Sequence, residues 1–226
     1  MGKVEAMYAH RFSEAERAQK DQVWQTLCRH FFQRYVRADD VVLDLGAGLC
    51  EFINHIECGQ RLAVDLSEET RRLARPDVVV HQVPSTDLSP IANGSVDLVF
   101  ASNFFEHLPD KPAMSRTLDE IHRVLAPGGR LMILQPNIKY LYKEYWDFFD
   151  HHIALSHHSM VEALASHGFV PRLVIPRFMP FTTKSALPKA AFLVRLYLRF
   201  PPAWRILGRQ MFILAQKEDV KGEGAR

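Results

Sequence analysis

A three-layer α/β sandwich around a mostly parallel sheet is the fold this sequence predicts, on three observations. Short runs of β-branched and aliphatic residues alternate with helix-patterned stretches from residue 41 onward. The first run, Val41-Val42-Leu43-Asp44-Leu45, passes directly into Gly46-Ala47-Gly48. The second, Leu62-Ala63-Val64, closes on an acid, Asp65, seventeen residues beyond Gly48. Near-continuous apolar runs suit strands that are covered on both faces, and strands alternating with helices imply parallel crossovers.

The elements follow in order. Val23, Leu27, Phe31 and Phe32, with Trp24 and Tyr35 nearby, recur at helical spacing and make residues 13–36 a lead-in helix that caps the sheet or the site. The first strand runs from Val41, and a helix is expected near 51–56. After Asp65, Ser67-Glu68-Glu69-Thr70 reads as a helix start, a serine cap followed by an acid-rich first turn. A third strand falls at 78–83, a loop rich in Ser, Asp, Pro and Gly at 84–95, and a fourth strand at 96–102. A helix at 112–125 is stopped by Pro127-Gly128-Gly129, ahead of a fifth strand at 130–134. A helix at 158–167, closed by Gly168, leads to a sixth strand at 169–175, and a last strand lies at 210–215.

At 226 residues and 47% hydrophobic, the chain suits one well-packed domain and is short for two. Its net charge of +2 excludes a global polyelectrolyte, and no nucleic-acid partner is expected. Cys28, Cys50 and Cys58 have no metal-ligand spacing, and their odd number argues against a disulfide framework, so a reducing cytoplasm is expected. Residues 1–17 lack the apolar core of a secretory signal, and no apolar run is long enough for a spanning helix.

A strand, a glycine turn, a helix and a strand ending in an acid form the unit that holds a nucleoside, the acid meeting the ribose hydroxyls. The run Gly46-Ala47-Gly48-Leu49-Cys50-Glu51 has no glycine at the third place of a dinucleotide fingerprint, so NAD is the weaker reading. Segment 42–52 instead resembles the first motif of class I S-adenosylmethionine-dependent methyltransferases. Asp87 in Ser85-Thr86-Asp87-Leu88 resembles the acid that meets the adenine amino group after the third strand of that family. Ser95-Val96-Asp97-Leu98-Val99-Phe100 followed by Glu106-His107-Leu108 resembles the fourth-strand motif. Glu120-Ile121-His122-Arg123-Val124-Leu125-Ala126-Pro127-Gly128-Gly129 resembles the helix and turn before the fifth strand.

The resemblance, spread over about 41–168, implies a seven-stranded Rossmann-like sheet with an antiparallel last strand and S-adenosyl-L-methionine as cofactor. It divides the chain into a helical cap at 1–38, a methyltransferase domain at 39–217 with a basic helical insertion near 180–208, and a flexible tail at 218–226. The implied cofactor-binding residues are Asp44, Gly46, Ala47, Gly48, Asp65, Leu66, Asp87, Leu88, Ser102 and Asn103. Asp44 would hydrogen-bond the glycine loop or face the cofactor's ammonium, since an unpaired acid inside an apolar strand is costly. Asp97 reads as structural.

Two histidines are candidate bases for a methyl acceptor. His107 follows the fourth strand, and His152 belongs to the set His151, His152, His157 and His158 beside Asp150. An imidazole titrates near working pH and can take a hydroxyl proton. Neighbouring histidines point to different sides of the backbone, so this set presents no metal motif and no metal is expected. The aromatic run Tyr140, Tyr142, Tyr145, Trp146, Phe148 and Phe149 would stack on a sugar, shelter a lipid, or serve only as lid or core.

Between Glu162 and Glu218 there is no acidic residue, whereas Lys184, Lys189, Arg195, Arg199, Arg205 and Arg209 alternate there with Phe192, Leu196, Phe200 and Trp204. Such a segment at 184–209 lies in an anionic membrane surface, holds an anionic acceptor, or simply packs its long stems over apolar surface. The expected acceptor is an oxygen of a sugar, polysaccharide precursor or lipid-linked small molecule. A non-catalytic S-adenosylmethionine-binding protein and an NAD-dependent oxidoreductase are the alternatives. Tyr8, Arg11 and Phe12 carry no assigned role, beyond Arg11 as a partner for a cofactor carboxylate.

Overall fold

The computed structural model describes the backbone of residues 14–181 and 191–218, with side chains described from Ala18 on. Tyr8, Arg11, Phe12, Lys184 and Lys189, and all but the first residue of the expected tail, lie outside the described residues. Seven strands form one sheet: β1 (Val41–Leu45), β2 (Gln60–Val64), β3 (Val78–His81), β4 (Val96–Ser102), β5 (Leu125–Pro136), β6 (Phe169–Ile175) and β7 (Gln210–Lys217). Their spatial order is β3-β2-β1-β4-β5-β7-β6, with β7 antiparallel to both neighbours and every other described pairing parallel.

Strand residues alternate between two cores, as period-two geometry demands. Leu43, Leu45, Val99, Ala101, Leu131 and Ile133 face one side. There helix α3 (Lys111–Val124) presents Met114, Leu118, Ile121 and Val124, and α5 (His157–Ser166) presents Met160 and Leu164. Val42, Leu98, Phe100, Met132 and Leu134 face the other, under α1 (Glu14–His30) with Trp24, Leu27 and Cys28. Asp110 caps α3 by accepting from the Ala113 N–H (2.7 Å), and Pro112 sits in the first turn, where no intrahelical N–H is needed. Ser67 caps α2 (Glu68–Leu73) as its position predicts. The remaining helices are α4 (Ile138–Leu141), α6 (Ala191–Leu198) and α7 (Pro201–Leu207).

Three expectations change. No regular helix forms at 51–56: turns close from Cys50 N–H to Ala47 O (2.7 Å) and from Ile56 N–H to Phe52 O (3.1 Å). Cys50 holds a left-handed backbone (φ 61°), which stops a helix from starting there. Strand β5 begins at Leu125 rather than 130, because Leu125 pairs with Val96 across an irregularity in the ladder. The basic segment is two short helices, broken at Phe200 because Pro201 and Pro202 cannot continue α6. Pro171 lies in β6, an edge strand, where a missing donor is tolerated.

Candidate active site

The sheet register assembles the site at one edge. Leu45 of β1 is level with Val64 of β2 and Ala101 of β4, and Val64 with His81 of β3. The next residues, Gly46, Asp65, Ser102 and Gln82, therefore emerge together at the carboxyl ends of the strands, the edge where open α/β sheets bind ligands. Val64 O accepts from the N–H groups of Gly46 (2.8 Å) and Ala47 (3.2 Å), which folds the glycine loop back over β2.

The Asp65 carboxylate is held by two backbone donors, Gly48 N–H on Oδ2 and Ser67 N–H on Oδ1, each at 2.8 Å. Each oxygen keeps acceptor capacity for a further donor, the arrangement a pair of ribose hydroxyls requires. Thr70 Oγ donates to Gly48 O (2.7 Å) and secures the far side of the loop. Gly46 (φ 70°) and Gly48 (φ 51°) both lie in the left-handed region. At Gly46 a Cβ would stand 2.3 Å from Phe104 Cδ2, so glycine is also required by the ring packed above it. Cys50, just before the third place of the turn, is fully buried, with its thiol donating to Thr70 O (3.4 Å) and pushed up to about 12 by burial. It is a packed thiol rather than a nucleophile.

Asp44 lies beneath the loop on the α1 side and is almost fully buried, its Oδ2 accepting from Ile53 N–H (3.3 Å). Burial holds its carboxyl well above the usual range, with the Ile53 hydrogen bond acting against it. Asp97 takes the structural role expected of it, accepting from Val41 N–H (2.8 Å). Asn103, beyond Ser102, holds a left-handed backbone (φ 46°), donates to Ser102 Oγ (3.1 Å) and accepts from Gln210 Nε2 (2.6 Å).

Two expected cofactor residues are placed elsewhere. Leu88 is fully buried in the core under α3, and its N–H donates to Glu120 Oε2 (2.6 Å). Asp87 is exposed, accepts from Ser89 N–H (3.1 Å) and lies beside Glu120 and Arg123 in the last turns of α3. That helix ends where β5 begins, so its last turns lie toward the opposite edge of the sheet from Gly46. Asp87, six positions past the end of β3 in a loop that descends along α3, has left the edge where Gly46 and Asp65 meet. Gln82, immediately after β3, stays there, its Nε2 donating to Leu66 O (2.9 Å) beside the exposed Leu66 side chain.

At the carboxyl end of β4 a buried polar cluster forms. Glu106 is wholly buried; its Oε2 accepts from Gln135 Nε2 (2.6 Å), and its Oε1 has no hydrogen-bond partner among the described residues. Burial pushes its carboxyl up, while the adjacent His107 pulls it down. His107 Nδ1 donates to Asp150 O (2.9 Å) in the tautomer that leaves Nε2 facing Glu106 Oε1 at 3.9 Å. His151, buried, packs edge-on to His107 with 5.2 Å between ring centroids. His152 is exposed, its N–H held by Glu106 O (2.7 Å). His157 turns away to Asn137 (3.0 Å). The structure thus joins His107 to His151, one residue from the histidine singled out by the sequence. Glu106 and Gln135, missed there, complete the cluster. The clue to Glu106 was its place beside His107; no spacing signalled Gln135.

Because Pro136 pairs with Gln210, the segment before β7 hangs over this same edge. Arg209 donates to Tyr140 O (2.8 Å), tying it to the aromatic run, of which Tyr142, Trp146 and Phe149 are exposed.

The family described as "Methyltransferase domain" matches residues 43–133. Demethylmenaquinone methyltransferase of Symbiobacterium thermophilum is 31% identical over 145 residues, covering 56% of this chain and 57% of that protein. Sarcosine/dimethylglycine N-methyltransferase of Halorhodospira halochloris is 31% identical over 114 residues, 46% of this chain and 40% of that one. The chain thus spans about half the length of these curated relatives. The crystal structure of a SAM-dependent methyltransferase from Archaeoglobus fulgidus superposes with a TM-score of 0.64 at 20% identity, over 87% of this chain and 94% of that one, a likeness of fold.

Proposed function

We propose that this chain, whose central region matches a methyltransferase domain and whose fold is that of the class I S-adenosylmethionine-dependent methyltransferases, is a member of that class and transfers the cofactor's methyl group to a hydroxyl oxygen. The observation that carries the reading is the register-matched edge where Gly46, Gly48 and Asp65 meet, with the Asp65 carboxylate fixed by two backbone donors. In this reading Asp65 receives the ribose hydroxyls, Asp44 and the glycine loop face the methionine end, and Leu66 with Gln82 borders the adenine. Ser102 and Asn103 form the floor between cofactor and acceptor.

The sulfonium is already activated, so alignment of donor and acceptor is the main task of the protein. The acceptor oxygen forms the new O–CH₃ bond while the C–S bond breaks, its electron pair passing to sulfur to give S-adenosylhomocysteine. The hydroxyl proton leaves through the cluster at the end of β4, His107 receiving it and exposed His152 passing it to solvent.

A lipid-linked or sugar acceptor is supported by the surface of the two short helices that precede β7. Exposed Phe192, Leu196, Phe200, Ile206 and Leu207 stand among Arg195, Arg199 and Arg205 there. That face would rest on an anionic lipid surface carrying the acceptor. No described helix is long and apolar enough to cross a membrane.

Isothermal titration with S-adenosylmethionine and S-adenosylhomocysteine, on the wild type and Asp65→Ala, tests the cofactor site. Saturable binding lost in the variant, followed by transfer of labelled methyl to a sugar or lipid-linked hydroxyl, is the expected result. A folded wild type that binds neither ligand refutes the reading, and binding without turnover on any acceptor favours a regulatory protein of the same fold.

A further inference from the structure

The polar cluster at the end of β4 contains more than a base requires. Glu106 Oε1 and Gln135 Oε1 are both buried acceptors with no hydrogen-bond partner among the described residues. Leaving such groups unsatisfied is costly, more so when one is charged, and a carboxylate wholly out of water calls for a positive partner. His107 cannot serve by hydrogen bonding, since its Nε2 lies 3.9 Å from Glu106 Oε1. One ligand atom each from Glu106, His107 and His151 falls within 4.8 Å of the others.

We propose that Glu106, His107 and His151 form a site for a divalent transition-metal cation of the zinc class, with Glu106 Oε1 and one nitrogen of each imidazole as ligands. Two histidines and a carboxylate are the donor set of catalytic zinc sites, which leave a fourth position for a water or substrate oxygen. His107 is prepared as such ligands are, its Nδ1 engaged by Asp150 O at 2.9 Å with Asp150 Oδ2 at 3.4 Å, which fixes the ring and directs the other nitrogen inward. Gln135 holds Glu106 Oε2 in the same supporting way. Ligand atoms around a tetrahedral zinc stand roughly 3.3 Å apart, so the set closes by small side-chain rotations. His107, with its side chain 25% exposed, provides the entry.

The binding claim stands without the methyl-transfer reading; the chemical role given to the cation rests on it. In that role a bound cation would acidify the acceptor hydroxyl, and with His107 engaged as a ligand in the loaded protein the proton would pass to water through exposed His152 rather than by way of His107.

The test uses full-length protein freed of metal by chelator and titrated with Zn²⁺, followed by calorimetry, and with Co²⁺, followed by visible absorption. S-adenosylmethionine binding is measured on every sample. The expected result is one ion per chain, bound at least about 100-fold more weakly by Glu106→Gln and His151→Phe, since loss of a ligand exceeds the usual loss of a supporting contact. The exposed His158→Gln is expected to bind as the wild type does. His151→Phe keeps the ring packing against Phe148 and Tyr145, so it decides the matter if Glu106→Gln fails to fold. A wild type that binds S-adenosylmethionine but no stoichiometric ion, or ion binding undiminished in both variants, overturns the inference. Ion binding at the cluster without S-adenosylmethionine binding upholds it and refutes the methyl-transfer reading instead.

Discussion

Gly46→Ala tests the geometry of the cofactor loop most directly, because the structure separates its cost into two parts. The new Cβ meets a left-handed backbone at φ 70°, which costs an L-residue about 1–2 kcal/mol. It also stands 2.3 Å from Phe104 Cδ2, so the ring must move. Forcing a packed side chain aside costs about 1–3 kcal/mol, for a total of about 2–5 kcal/mol. Only the second part vanishes when Phe104 is removed. A double-mutant cycle with Phe104→Ala, read by urea unfolding at constant slope, is therefore expected to show a favourable coupling of about 1–3 kcal/mol. The backbone part persists in both backgrounds. S-adenosylmethionine affinity should fall with Gly46→Ala in either background, because the left-handed strain acts on the loop itself. A Gly46→Ala protein as stable as the wild type, or additive effects in the cycle, would refute the packing of Phe104 over the loop.

Four further outcomes are expected. Asp65→Asn removes charge from the acid held by Gly48 and Ser67, and calorimetry should show S-adenosylmethionine affinity lowered about 10–150-fold, the equivalent of a charged hydrogen bond of about 1.5–3 kcal/mol. Burial holds the Asp44 carboxyl above its ordinary range, so its contribution to stability is fully present below the unfolded pKa and is lost as pH rises through the folded one. Asp44→Asn should accordingly raise the melting temperature of the ligand-free protein at neutral pH, with the gain fading toward pH 4, while weakening cofactor binding. Arg130 Nη2 pairs with buried Asp40 at 2.6 Å and its Nη1 donates to Tyr35 O at 2.7 Å; Arg130→Ala should cost about 3 kcal/mol in chemical denaturation by leaving the buried Asp40 charge without its cationic partner, the Arg37 N–H remaining. Arg195→Glu with Arg199→Glu should abolish sedimentation with anionic vesicles while leaving cofactor affinity intact, and equal sedimentation of wild type and variant would remove the lipid-surface proposal.

The sheet and the edge where Gly46, Gly48 and Asp65 meet were legible in the sequence because local chemistry determines them. Apolar runs with β-branched residues specify strands covered on both faces, and Gly46, Gly48 and Asp65 must occupy the ends of two neighbouring strands. The helix expected at 51–56 failed because Cys50 adopts a left-handed backbone, which its residue type does not announce. Asp87 and Leu88 were misplaced because the loop after β3 descends along α3, and its path depends on Glu120 and Thr117, about thirty residues away in the chain. The Glu106–His107–His151–Gln135 cluster joins three segments through side chains. Its parts were visible as residue types, but their meeting depends on the turn at 144–153, where Tyr145 donates to Ile153 O.

The reversed strand β7 also constrains how the molecule is made. Among the described strands it comes last in sequence, yet it lies inside the sheet, between β5 and β6. Until residues 210–217 have left the ribosome, β6 has no neighbour to pair with and β5 presents an open edge. A nascent chain that stalls before Gln210 therefore exposes the open edge of β5 and a β6 unpaired on both sides, the geometry that invites association with other chains. Assembly of the sheet must end with insertion of β7 rather than with growth at a margin, which makes that insertion the natural late step in folding and the point at which a chaperone would be most useful.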